Sequence, residues 1–243
     1  IEDTPAFRAG ILSKDVIVKV DGKTTKGMEV DDAVKLIRGK PNTKVVLTIK
    51  RGDRNIDYPL VRARIEIHPV RAQVENTPIG KIGYIRLNQF SSHASDEMKT
   101  AIGDMEKQKV KGYILDLRSN PGGLLYSSVE IARQWIDNGK IVSTVDRRGE
   151  VEQQTANNNA LTDKSLVVLV DGGSASASEI LSGALQDNKR ALIVGTKTFG
   201  KGLVQSVRGL GDGSGLAVTI QKYLTPKGTD INKHGIKPDV VVE

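Results

Sequence analysis

Leu166-Val-Val-Leu-Val-Asp-Gly-Gly-Ser-Ala-Ser-Ala-Ser-Glu-Ile-Leu-Ser-Gly-Ala-Leu-Gln186 is the stretch on which the reading of this chain turns. A short, wholly apolar run to Val170 reads as a buried strand, and Ile180, Leu181, Ala184 and Leu185 recur at helical spacing. Between them lie only small residues and three serines. A buried strand running through a tight turn into an amphipathic helix is the repeating unit of an α/β layer architecture. Working outward, the same alternation recurs. Strand 82–87 precedes a helix over 96–107, with Met98, Ile102 and Met105 on one face as core residues. Strand 112–117 precedes a helix over 127–136, a hairpin-like pair surrounds Arg148-Gly149, and strand 191–194 leads to a β-rich tail over 203–243.

Upstream of residue 67 the pattern differs. A short helix opens at Pro5 and is stopped by Gly10, a strand covers 15–20, and Asp21-Gly22 marks a turn. A helix over 30–37 carries Val30, Ala33, Val34 and Ile37 on one face, followed by a strand over 44–50 and a turn at Arg51-Gly52-Asp53. The chain therefore divides into a small β-rich unit, 1–66, and an α/β unit, 67–243.

The 243 residues suffice for a sizeable core, and no run approaches the roughly 18 apolar residues of a membrane span. There is no cysteine, which excludes disulfides, thiolate catalysis and cysteine-ligated zinc and leaves the redox compartment open. The start at Ile1 without methionine or signal peptide reads as a mature product or a fragment. Net charge is +7, but the basic residues are scattered in sequence and aromatics are 4%, so no nucleic-acid partner is expected.

The turn Asp171 to Glu179 admits two readings. Ser176 and Glu179 fit a capping box, in which both side chains satisfy amides and no chemistry occurs. Equally, a serine at this junction sits beside free amides of a first helical turn, which can hold an oxyanion. Gly195-Thr-Lys-Thr-Phe-Gly200-Lys201-Gly202 resembles a phosphate-binding loop until its last position, where Gly202 replaces the magnesium-binding hydroxyl, and a β-like run follows instead of a helix. What remains is a lysine between glycines. With a free pKa of about 10.4 it is too protonated to be a base, but desolvation depresses a lysine by as much as about 3 to 5. Gln205, four residues on and so on the same side of a strand, reads either as a partner that orients the amine or as an exposed polar residue. Asn120-Pro-Gly-Gly123 is a turn whose Gly122 amide can join that of Ala177 in an oxyanion hole. His68, His93 and His234 lie in no catalytic pattern and read as surface residues.

Together, Asn120-Pro-Gly-Gly, Gly173-Ser-Ala-Ser-Ala-Ser-Glu179, Thr198-Phe-Gly-Lys-Gly202 and Gln205 resemble the signature of the C-terminal processing, or tail-specific, serine peptidases. The 25-residue separation of Ser176 and Lys201 matches that family and singles out Ser176 among its neighbours. The resemblance implies an α/β fold with a crotonase/ClpP-like catalytic core. It also implies Ser176 as nucleophile, Lys201 as general base, Gln205 as its orienting partner, and the Gly122 and Ala177 amides as the oxyanion hole, with no cofactor and no metal.

Residues 1–66 resemble the family's PDZ domain, an α+β module that captures free C-termini. It is truncated here, since the chain starts after the strand and loop that bind the carboxylate. Val30 and Val34 on its helix are the implied peptide contacts. The implied partners are protein substrates with free C-termini, with peripheral contact to membrane-protein substrates. The implied compartment is extracytoplasmic, thylakoid lumen or periplasm, since the match is nearest to the branch that matures a photosystem II reaction-centre precursor. A PDZ-type adaptor on an inactive core and an acyl-CoA enzyme of the same fold are the competing readings.

Overall fold

The computed structural model describes residues 4–65, 68–149 and 151–242, and the chain forms two compact units, Ile1–Ile67 and His68–Glu243. In the first, the Thr4 hydroxyl accepts the Phe7 amide at 3.2 Å and Pro5 presets the first turn of helix α1 (Pro5–Arg8). Strands β1 (Val16–Val20) and β2 (Lys23–Thr24), helix α2 (Val30–Ile37), and strands β3 (Lys44–Arg51) and β4 (Arg54–Val61) follow. The sheet is antiparallel in the order β2-β1-β3-β4.

Period-two alternation in β3 turns Val45, Leu47 and Ile49 inward against Val20 and Leu60. Strand β4 has no counterpart in the sequence reading, because Asp57 and Pro59 interrupt it. Its place at the sheet edge tolerates that proline. Helix α2 buries none of its residues. Val30 is exposed and Val34 half-buried, so the apolar stripe read from the sequence is real but largely open.

The second unit begins with β5 (Val70–Thr77), β6 (Gly80–Leu87), α3 (Ala94–Lys107), β7 (Gly112–Asp116), α4 (Leu125–Trp135), β8 (Lys140–Asp146) and β9 (Val151–Thr155). It continues with β10 (Ser165–Val170), α5 (Ala177–Asp187), β11 (Leu192–Gly195), β12 (Leu203–Gly209), β13 (Gly215–Leu224) and β14 (Val240–Val241). The main sheet runs β14-β11-β10-β7-β6-β5 and is parallel except for β5. A second, antiparallel sheet runs β12-β13-β8-β9.

Alternate residues of β10, Leu166, Val168 and Val170, are buried among the helices' apolar faces, including Met98, Ile102 and Met105 of α3. Trp135 of α4 meets Tyr113 of β7 edge-on, with ring centroids 5.2 Å apart. Because β7, β10 and β11 are parallel and in step, their carboxyl ends emerge at the same edge of the sheet, and so do the loops that follow them. Those loops carry all three motifs singled out above, at the place where open α/β sheets bind ligands.

Candidate active site

Ser176 forms the corner between β10 and α5 with φ 57° and ψ −113°, a conformation that L-residues with a Cβ rarely hold. Such a corner persists only where its surroundings over-determine it. They do so here through the flanking serines. Buried Ser174 donates its hydroxyl to the Leu117 carbonyl at 2.8 Å, and buried Ser178 donates to the Asn120 carbonyl at 2.9 Å. Both stitch the turn to the end of β7.

Ser176 is half-buried, and its hydroxyl makes no cap hydrogen bond. Ser176 and Glu179 occupy a capping box with both halves in place, the Glu179 amide facing the Ser176 hydroxyl as well as donating to the Ser176 carbonyl oxygen at 2.9 Å. The carboxylate accepts the Ser176 amide at 2.8 Å. Of the three serines, only Ser176 donates its hydroxyl to no carbonyl among the described residues.

Glu179 is fully buried and accepts four hydrogen bonds. Oε1 takes the Thr198 hydroxyl and the Gly200 amide, both at 2.6 Å, and Oε2 takes the Ser176 and Lys201 amides, both at 2.8 Å. One carboxylate thus ties the serine turn to the lysine loop. The sequence reading saw Glu179 only as a cap, since its partners in the loop at 198–201 are about twenty residues away and no local spacing reports them.

The lysine loop is fixed further by the Phe199 amide on the Ser174 carbonyl at 3.0 Å, and by Gly200 at φ 91°, where a Cβ would lie 3.0 Å from the Lys233 backbone. The Lys201 side chain, however, is exposed and makes no hydrogen bond or ion pair among the described residues. The dry enclosure expected for a lysine between glycines is not formed. The glycines bring backbones together, with Gly202 against Asn232, and leave the side chain in solvent.

Gln205 also departs from expectation. Lys201 lies outside β12, so the rule that residues four apart share a strand face does not apply. In addition, the pairing of β12 with β13 shifts by one residue between Val204 and Gln205, with Ile220 as the extra residue. Gln205 is exposed, opposite Thr219, and no hydrogen bond links it to Lys201 among the described residues.

The two proposed oxyanion donors lie together. A Cβ on Gly122, which has φ 99°, would stand 2.8 Å from the Ser176 Cβ and 2.9 Å from the Ala177 nitrogen. Only glycine permits that approach. The Ala177 amide has no partner among the described residues, while the Gly122 amide donates to Asn120 Oδ1 at 2.9 Å. One donor is open and the other is occupied in this arrangement.

Asn120 is itself fully buried, donates to the Leu87 carbonyl, and accepts the Ala175 amide on its own carbonyl. Asp171 braces the same loops by accepting the Ser119 and Gly173 amides at 2.8 and 2.9 Å. Burial pushes this carboxyl up, but those amides outweigh it and hold it below the usual carboxylate range.

Below the Gly122 turn lies the buried carboxylate of Asp116, which the Arg118 guanidinium grips at 2.9 and 2.7 Å and the Tyr84 hydroxyl meets at 2.6 Å. Burial raises its pKa, and Arg118 together with Tyr84 more than reverses the rise. None of these carboxylates stood out in sequence as chemistry, because each looks like an ordinary strand-end or turn residue. The three histidines are exposed and lie outside this constellation, His68 pairing with Glu97 at 3.0 Å. No group of three or more metal-ligating side chains occurs among the described residues.

A parallel-sheet core with a serine at a strained strand–helix corner, beside an open helix-start amide and a lysine loop, is an arrangement that can serve a serine hydrolase. The chain belongs to peptidase family S41, whose model matches residues 81–242, while a PDZ domain model matches residues 1–51. It is 51% identical over 243 residues to a carboxyl-terminal-processing protease of Synechocystis sp., covering 99% of this chain and 57% of that one. It is 45% identical over 251 residues to a carboxy-terminal-processing protease of Bartonella bacilliformis, covering 100% of this chain and 57% of the relative. Among solved structures, a photosystem II D1 C-terminal processing protease superposes with a TM-score of 0.69 at 40% identity, over 98% of this chain and 66% of that one. The chain thus spans a little over half the length of these curated relatives.

Proposed function

We propose that this protein is a serine endopeptidase that cuts protein substrates near their C-terminus through an acyl-enzyme, with Ser176 as nucleophile and Lys201 as general base. The observation that carries the reading is the Ser176 hydroxyl, which donates to no carbonyl among the described residues, set beside the open Ala177 amide and tied through Glu179 to the backbone of Lys201. The neutral Lys201 amine takes the Ser176 proton as the oxygen attacks the scissile carbonyl. The Ala177 amide receives the oxyanion, and the Gly122 amide joins it once released by Asn120. Lysine then returns the proton to the leaving amine, and water, deprotonated in the same way, frees the enzyme.

Lys201 is exposed here, so its activation calls for a cover, and the bound substrate is the natural one. Burial by the peptide strips water from the ammonium and favours the neutral base. Gln205 then orients the amine in the covered state, and the helix bearing Val30 and Val34 engages the substrate's free C-terminus. The similarity to a photosystem II D1 processing protease supports a membrane-protein precursor as substrate and an extracytoplasmic site of action, thylakoid lumen or periplasm.

Ser176→Ala and Lys201→Ala should each abolish hydrolysis of a peptide with a free apolar C-terminus, measured by product chromatography. Full activity in either variant sinks the assignment. Tight peptide binding by the unmodified protein without turnover would favour a peptide-binding module instead.

A further inference from the structure

Phe199 presents its aromatic side chain to solvent, 66% exposed, from a segment that is otherwise held rigidly. Thr198 is buried, with its amide on the Ile236 carbonyl and its hydroxyl on Glu179. The Phe199 amide is bonded to the Ser174 carbonyl, and the next two amides are held by Glu179. The ring therefore cannot escape water by a loop movement without breaking several buried hydrogen bonds. A fixed, exposed aromatic close in the chain to candidate catalytic groups has the form of a binding anchor. Its backbone adjoins the serine turn through the Ser174 carbonyl, and it lies two residues before Lys201.

The Gly122 turn, which packs against Ser176, continues directly into Leu124, exposed at the entry of α4. Its position is set by its amide on the Phe90 carbonyl at 2.8 Å. Two apolar side chains thus emerge from the two rigid loops that flank Ser176, and neither packs into the core cluster of this unit.

We propose that Phe199, together with Leu124, is the specificity-determining wall that receives an apolar substrate side chain next to the scissile bond. This rests on the serine-peptidase reading above and assigns a selectivity to that site. The occupant is an extended peptide whose residue adjoining the cleaved bond is aliphatic. Its side chain covers the ring, and in doing so brings the peptide over the exposed Lys201.

Two peptides that differ only at the residue before the cleaved bond, valine in one and aspartate in the other, form the probe. Phe199→Ala should lower kcat/KM for the valine peptide by about 10- to 200-fold, the range a hydrophobic pocket contributes, chiefly through KM, while barely changing the aspartate peptide. Phe199→Leu should restore most of the preference. In a Ser176→Ala background, which removes chemistry, Phe199→Ala should weaken binding of the valine peptide by a similar factor in a fluorescence titration.

Equal loss on both peptides, or an unchanged ratio of the two, overturns the assignment of Phe199. Undiminished hydrolysis by Ser176→Ala overturns the peptidase reading itself, and the binding titration separates the two failures. Thermal denaturation should show Phe199→Ala as stable as the parent, since the ring packs against nothing it would leave empty.

Discussion

Glu179 decides more of the site than any group assigned a chemical step. Four donors converge on one buried carboxylate from the two segments that hold Ser176 and Lys201. Breaking such a cluster on one side leaves buried amides without acceptors, which costs on the order of 1–3 kcal/mol each. Glu179→Gln keeps the shape but puts an NH2 group where donors already converge. It should lower stability by about 2–4 kcal/mol and kcat by at least tenfold, checked by chemical denaturation alongside peptide hydrolysis. Unchanged kcat with lowered stability would reduce Glu179 to a scaffold residue. The serines illustrate the same point. Ser174, Ser176 and Ser178 are chemically identical and two apart, yet the first and third are spent on carbonyls of the neighbouring loop. Both are fully buried while Ser176 is only half-buried, and burial demands that their hydroxyls be paired.

At the scale of elements, the three motif loops meet because β7, β10 and β11 are parallel, whereas β12 and β13 form a ribbon of another kind. Beyond Gln221, where β8 stops pairing, β13 is bonded only to β12. Leu216, Val218 and Ile220 lie exposed along it, with Val207 exposed on β12. A two-stranded ribbon without a packed face is marginal in water. Backbone amides of 206–218 should therefore exchange with deuterium far faster than those of β7 or β10, by about a thousandfold or more, in a native-state exchange experiment. Protection of this ribbon equal to that of β10 would show that its hydrogen bonds are backed by packing. Gln205 sits at the root of this ribbon, which explains why a local spacing argument misjudged its surroundings.

The whole chain holds two separate cores. The core of the first unit rests on Val20, Val45, Leu47, Ile49 and Leu60, and that of the second on some thirty residues gathered around the main sheet. Ile49→Ala removes a fully buried side chain from the smaller core and should cost about 2–5 kcal/mol there. Scanning calorimetry should show two transitions, with the substitution lowering one and sparing the other. A single transition that moves as a whole would show the units unfolding together. No helix among the described residues is long and apolar enough to cross a membrane.

The amino-acid sequence by itself determined the elements whose chemistry is local. Apolar runs specified the buried strands, 3.6-residue stripes specified the helices, and Gly122 and Gly200 stand where positive φ and close approach exclude a Cβ. It also determined the family and the three loops that carry the candidate site, because those residue types at those spacings are highly constrained. Strands β4 and β5 escaped that reading, β4 because Pro59 stands inside its Ile56, Tyr58, Leu60 alternation and β5 because most of its residues are polar. Only the tertiary structure decided that Glu179 is a hub, that the Ser176 hydroxyl donates to no described carbonyl while the Gly122 amide is taken by Asn120, and that Lys201 and Gln205 face water. Each of these depends on which distant groups share a buried space. Hydrogen-bond satisfaction and burial are properties of the packed whole, and no spacing along the chain encodes them.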